Sequence, residues 1–187
     1  METAVRAAAA LPPPEAVRSV LVRATNWVGD ALLSTPAVGA VRRAFPAAHL
    51  AVLARPPVRE VFDGSPDVDE VIVAPARSFG RALAAGLALV RDLRRRGFDL
   101  AVLLPNAFEA ALVAWMARIP HRVGYATDGR GPLLTQAVRR RAAVRERPQV
   151  DYYLGLTDAL GWPRAGEHPR LPVGPAAEAE AAALLAG

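Results

Sequence analysis

Short β-branched apolar runs alternate along the chain with longer stretches in which apolar residues recur every three or four positions. The runs predict strands, and they cover residues 19–23, 49–54, 71–73, 100–104 and 121–125. The periodic stretches predict helices after residue 35, over 57–62 and 79–96, after residue 106 and over 150–160. The first long helix is predicted to begin at Pro36, with Thr35 as its cap. Strands that alternate with helices indicate an α/β protein with a doubly wound parallel sheet.

The carboxyl ends of the predicted strands direct the search for a site, because ligands bind there in open parallel sheets. The segments concerned are residues 26–30, 105–108 and 125–131. The first segment carries Asp30 where a strand meets a helix, and it matches neither the dinucleotide-binding pattern nor the P-loop pattern. Spacing alone leaves two interpretations of Asp30 open, a helix N-cap and a general base.

A second candidate follows the most apolar of the predicted strands. Asn106 and Glu109 have the spacing of a capping box, in which Asn106 caps the helix and Glu109 bonds back to the backbone of Asn106. Asn106 is therefore a candidate both for a cap and for a ligand contact. Further along, the arginines of residues 139–147 favour an anionic partner such as a membrane surface or nucleic acid. No aromatic residues interleave with them, which argues against a platform for single-stranded nucleic acid.

Composition narrows the class of protein. A chain of 187 residues with 52% hydrophobic residues supports roughly one folded domain and excludes a mainly disordered protein. The lack of cysteine excludes a disulfide scaffold, a zinc–thiolate site and a cysteine nucleophile, and the widely separated histidines predict no metal site. Every positive charge is an arginine, which binds carboxylates and phosphates in a fork and suits anionic partners.

The N-terminal segment gives a prediction about location. Residues 1–17 lack the basic start and the long apolar run of a secretory signal, and they contain three consecutive prolines that stop a helix. No apolar run in the sequence approaches the roughly 18 residues of a spanning helix. We therefore predict a disordered leader over 1–17 and a cytoplasmic protein without a transmembrane segment.

The segment VRATNWVGDALLSTPA, residues 22–37, resembles the opening signature of the ADP-heptose–lipopolysaccharide heptosyltransferases. The agreement continues in order and spacing through residues 62–70, 104–106, 124–131 and 150–154, and it covers about residues 18–161. The resemblance implies a GT-B glycosyltransferase with two Rossmann-like domains facing a cleft, no metal, and inversion of configuration. It also implies that the N-terminal domain binds the acceptor, lipid A–Kdo–heptose at the inner-membrane surface, and that the C-terminal domain binds ADP-heptose.

The resemblance implies roles for particular residues. The aspartate of the Val-Gly-Asp step is the family's general base, and it corresponds to Asp30. The residues expected to bind the acceptor are Asn26, Trp27, Gly29, Asn106, Phe108, Tyr125 and Arg130. No cofactor is expected besides the donor substrate ADP-heptose.

The resemblance also gives expected domain boundaries. We expect a leader over 1–17, a Rossmann-like acceptor-binding domain over 18–162, and a Pro/Ala-rich tail over 163–187 that leads towards a donor-binding domain. That second domain is not in this sequence, so we expect a truncated or split protein, or a separately encoded partner domain. The 187-residue chain alone is then expected to be inactive.

The chain departs from the family pattern after the central strand. Family members have a serine and a lysine or arginine where this chain has Ala107 and Glu109. An acceptor rich in carboxylates and phosphates is expected to bind less well to this loop, because a cation is replaced by an anion. Two alternatives remain open: a non-catalytic module that binds an anionic glycolipid, and an arginine-rich nucleic-acid binder supported by charge alone.

Overall fold

A computed structural model describes residues 5–7, 10–75, 83–139, 148–173 and 175–185 of the chain. The strands are β1 (Val5–Ala7), β2 (Ser19–Arg23), β3 (His49–Ala54), β4 (Glu70–Val73), β5 (Leu100–Leu103), β6 (His121–Tyr125) and β7 (Gln136–Val138). The α-helices are α1 (Val28–Ala44), α2 (Leu83–Arg96), α3 (Phe108–Met116), α4 (Gln149–Asp158) and α5 (Pro175–Leu185). Short 3-10 helices cover Pro14–Ala16, Pro56–Val61 and Gly131–Leu133.

The strands form one sheet in the order β1-β7-β6-β5-β2-β3-β4. Strands β2 to β7 pair in parallel, and β1 adds to the β7 edge in antiparallel orientation. The chain adds strands outward from β2 in one direction and from β5 in the other, so the order reverses between these two central strands. The predicted α/β doubly wound sheet is confirmed, and its switch point lies between the carboxyl ends of β2 and β5.

Helices cover both faces of the sheet. Val20 and Val22 of β2 belong to the core beneath α1 and α4, whereas Leu21 belongs to the core beneath α2 and α3. This alternation follows from the two-residue period of side chains along a strand. Because both faces are buried, the fully buried positions of the central strands, residues 20–22 and 100–103, are all apolar.

Helix α1 begins eight residues before the predicted start at Pro36, so that prediction is wrong. Proline lacks the N–H that would donate to the carbonyl of the residue four positions earlier. In this helix the Thr35 hydroxyl donates to that carbonyl, on Leu32, at 2.8 Å, and supplies the lost hydrogen bond. The helix therefore continues through Pro36, and its N-terminus lies at the carboxyl end of β2.

One further prediction differs from the structure. The predicted disordered leader contains β1, which pairs with β7, and neither of these three-residue strands was predicted, because they are too short for a period to show. The segment predicted as a tail, residues 163–187, contains α5, and the backbone N–H of Arg170 in this segment donates to the Thr35 hydroxyl of α1 at 2.9 Å. Residues 79–82 of the predicted α2 and the arginines of 140–147 lie outside the described residues.

Candidate active site

Asp30 lies at the carboxyl edge of the sheet, in the first turn of α1. The N-cap residue of α1 is Trp27, so Asp30 is not the cap. The Asp30 side chain is half-buried, and no hydrogen bond or ion pair joins its carboxylate to any residue that the structure describes. A helix N-terminus favours negative charge. The arrangement therefore gives a stabilised carboxylate whose lone pairs are available to a ligand.

Helix α4 packs on α1 and contributes a buried tyrosine near Asp30. The amide Nε2 of Gln149 donates to the Tyr153 hydroxyl at 3.2 Å. Burial raises the pKa of Tyr153 to about 12, and the negative charge of Asp30 adds to the shift. Tyr153 is thus a neutral phenol at pH 7.

Asn106 is held by side chains from distant parts of the chain. Its Oδ1 accepts hydrogen bonds from the Tyr152 hydroxyl at 2.6 Å and the Thr127 hydroxyl at 3.1 Å. The predicted capping box is wrong, because the N-cap residue of α3 is Ala107 and makes no side-chain cap bond. With its oxygen occupied, Asn106 retains its amino group, a donor, for contact with a ligand.

Tyr125 and Arg130 lie buried behind the loops that end β5 and β6. The Tyr125 hydroxyl donates to the carbonyl of Tyr152 at 2.7 Å. The Arg130 guanidinium has no exposed surface and donates to the carbonyls of Tyr125, at 2.9 Å, and Pro105. Burial lowers the pKa of Arg130 to about 10. The structure gives both residues a positioning role, and their direct contact with an acceptor stays a prediction.

These groups, some buried and some partly buried, form one connected set, which we call the rear network. It consists of Asn106, Tyr125, Thr127, Arg130 and Tyr152. Gly124 allows close packing here, since a Cβ on it would lie at tight distances of 3.1 Å from Nη2 of Arg130 and 3.3 Å from the carbonyl oxygen of Leu103. The rear network fixes the loop after β5 against α4.

The other predicted acceptor-binding residues lie at the rim of the crevice. Trp27 is 76% exposed and Phe108 is 46% exposed, so both present apolar surface at the carboxyl edge. A Cβ on Gly29 would meet open space, so its lack of a side chain is not required by packing. Asn26 accepts a hydrogen bond from Nη2 of Arg23 at 2.8 Å. Whether these residues contact an acceptor stays a prediction.

The sequence analysis missed a group of charges beside the β2–α1 loop. Arg23, Asn26, Arg55 and Glu109 line one pocket, which we call the charged pocket, on the face of the sheet that α2 and α3 cover. Burial lowers the pKa of Arg23 to about 10, with a further lowering by Arg55 and a partial offset by Glu109. An arginine at the end of an otherwise apolar strand was the signal that could have pointed to it.

Metal and membrane features were also searched for. Within the ranges that the structure describes, no three His, Asp or Glu side chains come together in a way that could hold a metal ion. Across the same residues, no helix has the length and apolar character needed to span a bilayer.

The architecture matches solved glycosyltransferases. The structure of Escherichia coli ADP-heptose lipopolysaccharide heptosyltransferase II aligns with a TM-score of 0.72 at 26% identity, over 89% of this chain and 50% of that one. A glycosyl transferase family 9 structure from Veillonella parvula gives a TM-score of 0.77 at 19% identity, over 90% of this chain and 49% of that one, and shows the fold alone. The fold is therefore that of the N-terminal half of a GT-B glycosyltransferase.

The family follows from the sequence comparison. The sequence model of glycosyltransferase family 9 (heptosyltransferase) matches residues 86–186, more than half of the chain, and the chain belongs to this family. Lipopolysaccharide heptosyltransferase 2 of Salmonella typhimurium is 32% identical over 118 residues, which are 63% of this chain and 34% of that protein. The matched part thus spans about a third of the length of this relative. The resemblance that begins at residues 22–37 is confirmed, and the family is one of enzymes.

Proposed function

We propose that this chain is the acceptor-binding half of an inverting enzyme that transfers heptose from ADP-heptose to the inner core of lipopolysaccharide, with Asp30 as the general base. The observation that carries this proposal is the half-buried Asp30 carboxylate at the switch point, which makes no hydrogen bond or ion pair to a described residue. A carboxylate already used in capping or in an ion pair could not accept a proton from a sugar hydroxyl without losing that contact.

The chemistry requires such a base because a sugar hydroxyl is a weak nucleophile. The Asp30 carboxylate takes the hydroxyl proton while the hydroxyl oxygen bonds to the anomeric carbon of heptose. The bond from that carbon to the phosphate oxygen breaks on the opposite face, ADP leaves with the electron pair, and the configuration inverts. Much of the rate enhancement comes from holding the acceptor hydroxyl in line with the bond between heptose and ADP that breaks.

Asn106 is proposed to orient the acceptor. Its oxygen is held by Tyr152 and Thr127, so the amino group is directed by the rear network rather than by the ligand. Such preorganised donors bind hydroxyl or anionic oxygens without further ordering. We assign ADP-heptose to a second Rossmann-like domain and the lipid A–Kdo–heptose acceptor to the cytoplasmic face of the inner membrane.

The test is Asp30→Asn in an enzyme that joins this chain to a donor-binding domain. The substitution keeps the shape but removes the proton acceptor, so turnover should fall roughly 10² to 10⁴-fold while acceptor affinity is kept. Asp63→Asn is the matched control, since Asp63 is exposed and pairs with Arg59 at 2.9 Å. The same assay on the 187-residue chain alone should show no transfer.

The possible outcomes separate the proposal from its alternatives. Near-normal turnover in Asp30→Asn contradicts the role of Asp30. Glycolipid binding by the joined enzyme without any transfer would favour the non-catalytic glycolipid-binding module. Binding of DNA in place of glycolipid, with strong salt dependence, would favour the nucleic-acid binder.

A further inference from the structure

The charged pocket lies across the β2–α1 loop from Asp30. Its floor is apolar and is formed by Leu21, Leu53 and Leu103, each almost fully buried. Its charged side chains come from the ends of β2 and β3 and the first turn of α3. An apolar, poorly hydrated floor strengthens the attraction between a guanidinium and an anion.

Hydrogen bonds fix the Arg23 side chain in this pocket but leave at least one of its N–H donors unused. Its Nη1 donates to the carbonyls of Ala24 and Leu53, and its Nη2 donates to Oδ1 of Asn26. A guanidinium carries five N–H groups, and Nε–H of Arg23 has no partner among the described residues. No carboxylate of a described residue forms an ion pair with Arg23 either. Partial burial of a cation is costly unless an anion compensates it.

The other two charged side chains of the pocket, Arg55 and Glu109, make no hydrogen bond or ion pair with a described residue. Arg55 follows β3 directly and is half-buried, and its guanidinium makes no hydrogen bond or ion pair with any residue in the described ranges. The same holds for the carboxylate of Glu109. The pocket thus combines two cations and one anion that do not neutralise each other by contact. Their net charge of +1 matches a singly charged anion.

We propose that Arg23 and Arg55 bind an anionic group of the acceptor, preferentially a carboxylate, at a subsite separate from the reacting hydroxyl. Guanidinium groups recognise carboxylates and phosphates through paired N–H donors. Asn26 contacts Arg23 and lies on the loop that leads to Asp30, so both sites share one loop. That the anion belongs to the acceptor rests on the proposed function. Glu109 lowers the affinity for a doubly charged group such as phosphate.

The test measures binding to the 187-residue chain and to single variants of it. The ligands are acetate, inorganic phosphate and the deacylated lipid A–Kdo–heptose glycan, each followed by the arginine Nε–Hε NMR signals and by calorimetry. Arg55→Gln should weaken glycan binding roughly 10-fold, the effect of one charge-assisted hydrogen bond. Glu109→Gln should tighten binding of phosphate roughly threefold. Arg43→Gln, which changes the net charge equally at an exposed position of α1, should leave both affinities unchanged.

The outcomes distinguish this inference from the proposed function. Glycan binding that is insensitive to Arg55→Gln overturns the subsite and leaves the proposed function standing. Equal weakening in Arg55→Gln and Arg43→Gln also overturns it, since net charge alone would then explain the affinity. If the glycan does not bind but acetate shifts the Arg23 and Arg55 signals of the unmodified chain and no longer shifts the Arg23 signal of Arg55→Gln, the anion site stands and the proposed function fails.

Discussion

The rear network and the charged pocket both lie at the carboxyl ends of the central strands but differ in how their polar groups are used. In the rear network, Asn106 accepts from Tyr152, and Arg130, which has no exposed surface, donates to the carbonyls of Tyr125 and Pro105, although its Nη2 has no partner among the described residues. In the charged pocket, Arg55 and Glu109 make no contact of this kind with described residues. The first arrangement stabilises a loop, and the second leaves charge available to a ligand. An arginine at the carboxyl edge of the sheet is therefore a candidate binding residue only if other protein groups do not already use its donors.

The largest expected effect on stability comes from Arg130→Ala. This change removes the donors to the carbonyls of Tyr125 and Pro105 and leaves a cavity, so the free energy of unfolding should fall by roughly 2–5 kcal/mol. Arg55→Ala should change it by less than about 0.5 kcal/mol, because Arg55 bonds to no described residue. Denaturant unfolding of both variants checks this, and equal losses would remove the distinction between the two regions.

A smaller effect is expected from Tyr152→Phe, which deletes the hydroxyl that donates to Asn106 at 2.6 Å. The free energy of unfolding should fall by about 1 kcal/mol, and glycan affinity should fall roughly two- to fivefold as Asn106 loses its fixed orientation. Thr157→Val is the matched control, because its buried hydroxyl donates to the carbonyl of Leu154 and not to Asn106. A loss of glycan affinity in both variants would show that it follows stability rather than the orientation of Asn106.

Much of the fold could be predicted because its signals are local. The strands Ser19–Arg23, His49–Ala54 and His121–Tyr125 have the predicted bounds, because short runs centred on buried apolar residues are a local signal. The start of α1 could not be predicted, because Thr35 and Pro36 have the pattern of a cap and a first turn. Only the hydrogen bond from Thr35 to Leu32 shows how the helix continues through the proline.

The candidate site was predictable to a lesser degree. Asp30 could be singled out from its place between a strand and a helix, and the structure locates it in the first turn of α1. Asn106 matched a capping pattern, but its partners Thr127 and Tyr152 lie 21 and 46 residues away. No local pattern reports such partners. The charged pocket was missed for the same reason, since Arg23 ends β2 whereas Arg55 follows β3, 32 residues further along the chain.

The most direct test of the central claim is a crystal structure of this chain with the deacylated lipid A–Kdo–heptose glycan bound. We predict that a heptose hydroxyl of the glycan lies within about 3.2 Å of a carboxylate oxygen of Asp30, the distance at which a general base takes a proton. The amino group of Asn106 is expected to contact the same sugar. A glycan bound in the crevice with no hydroxyl within reach of Asp30 would contradict the account.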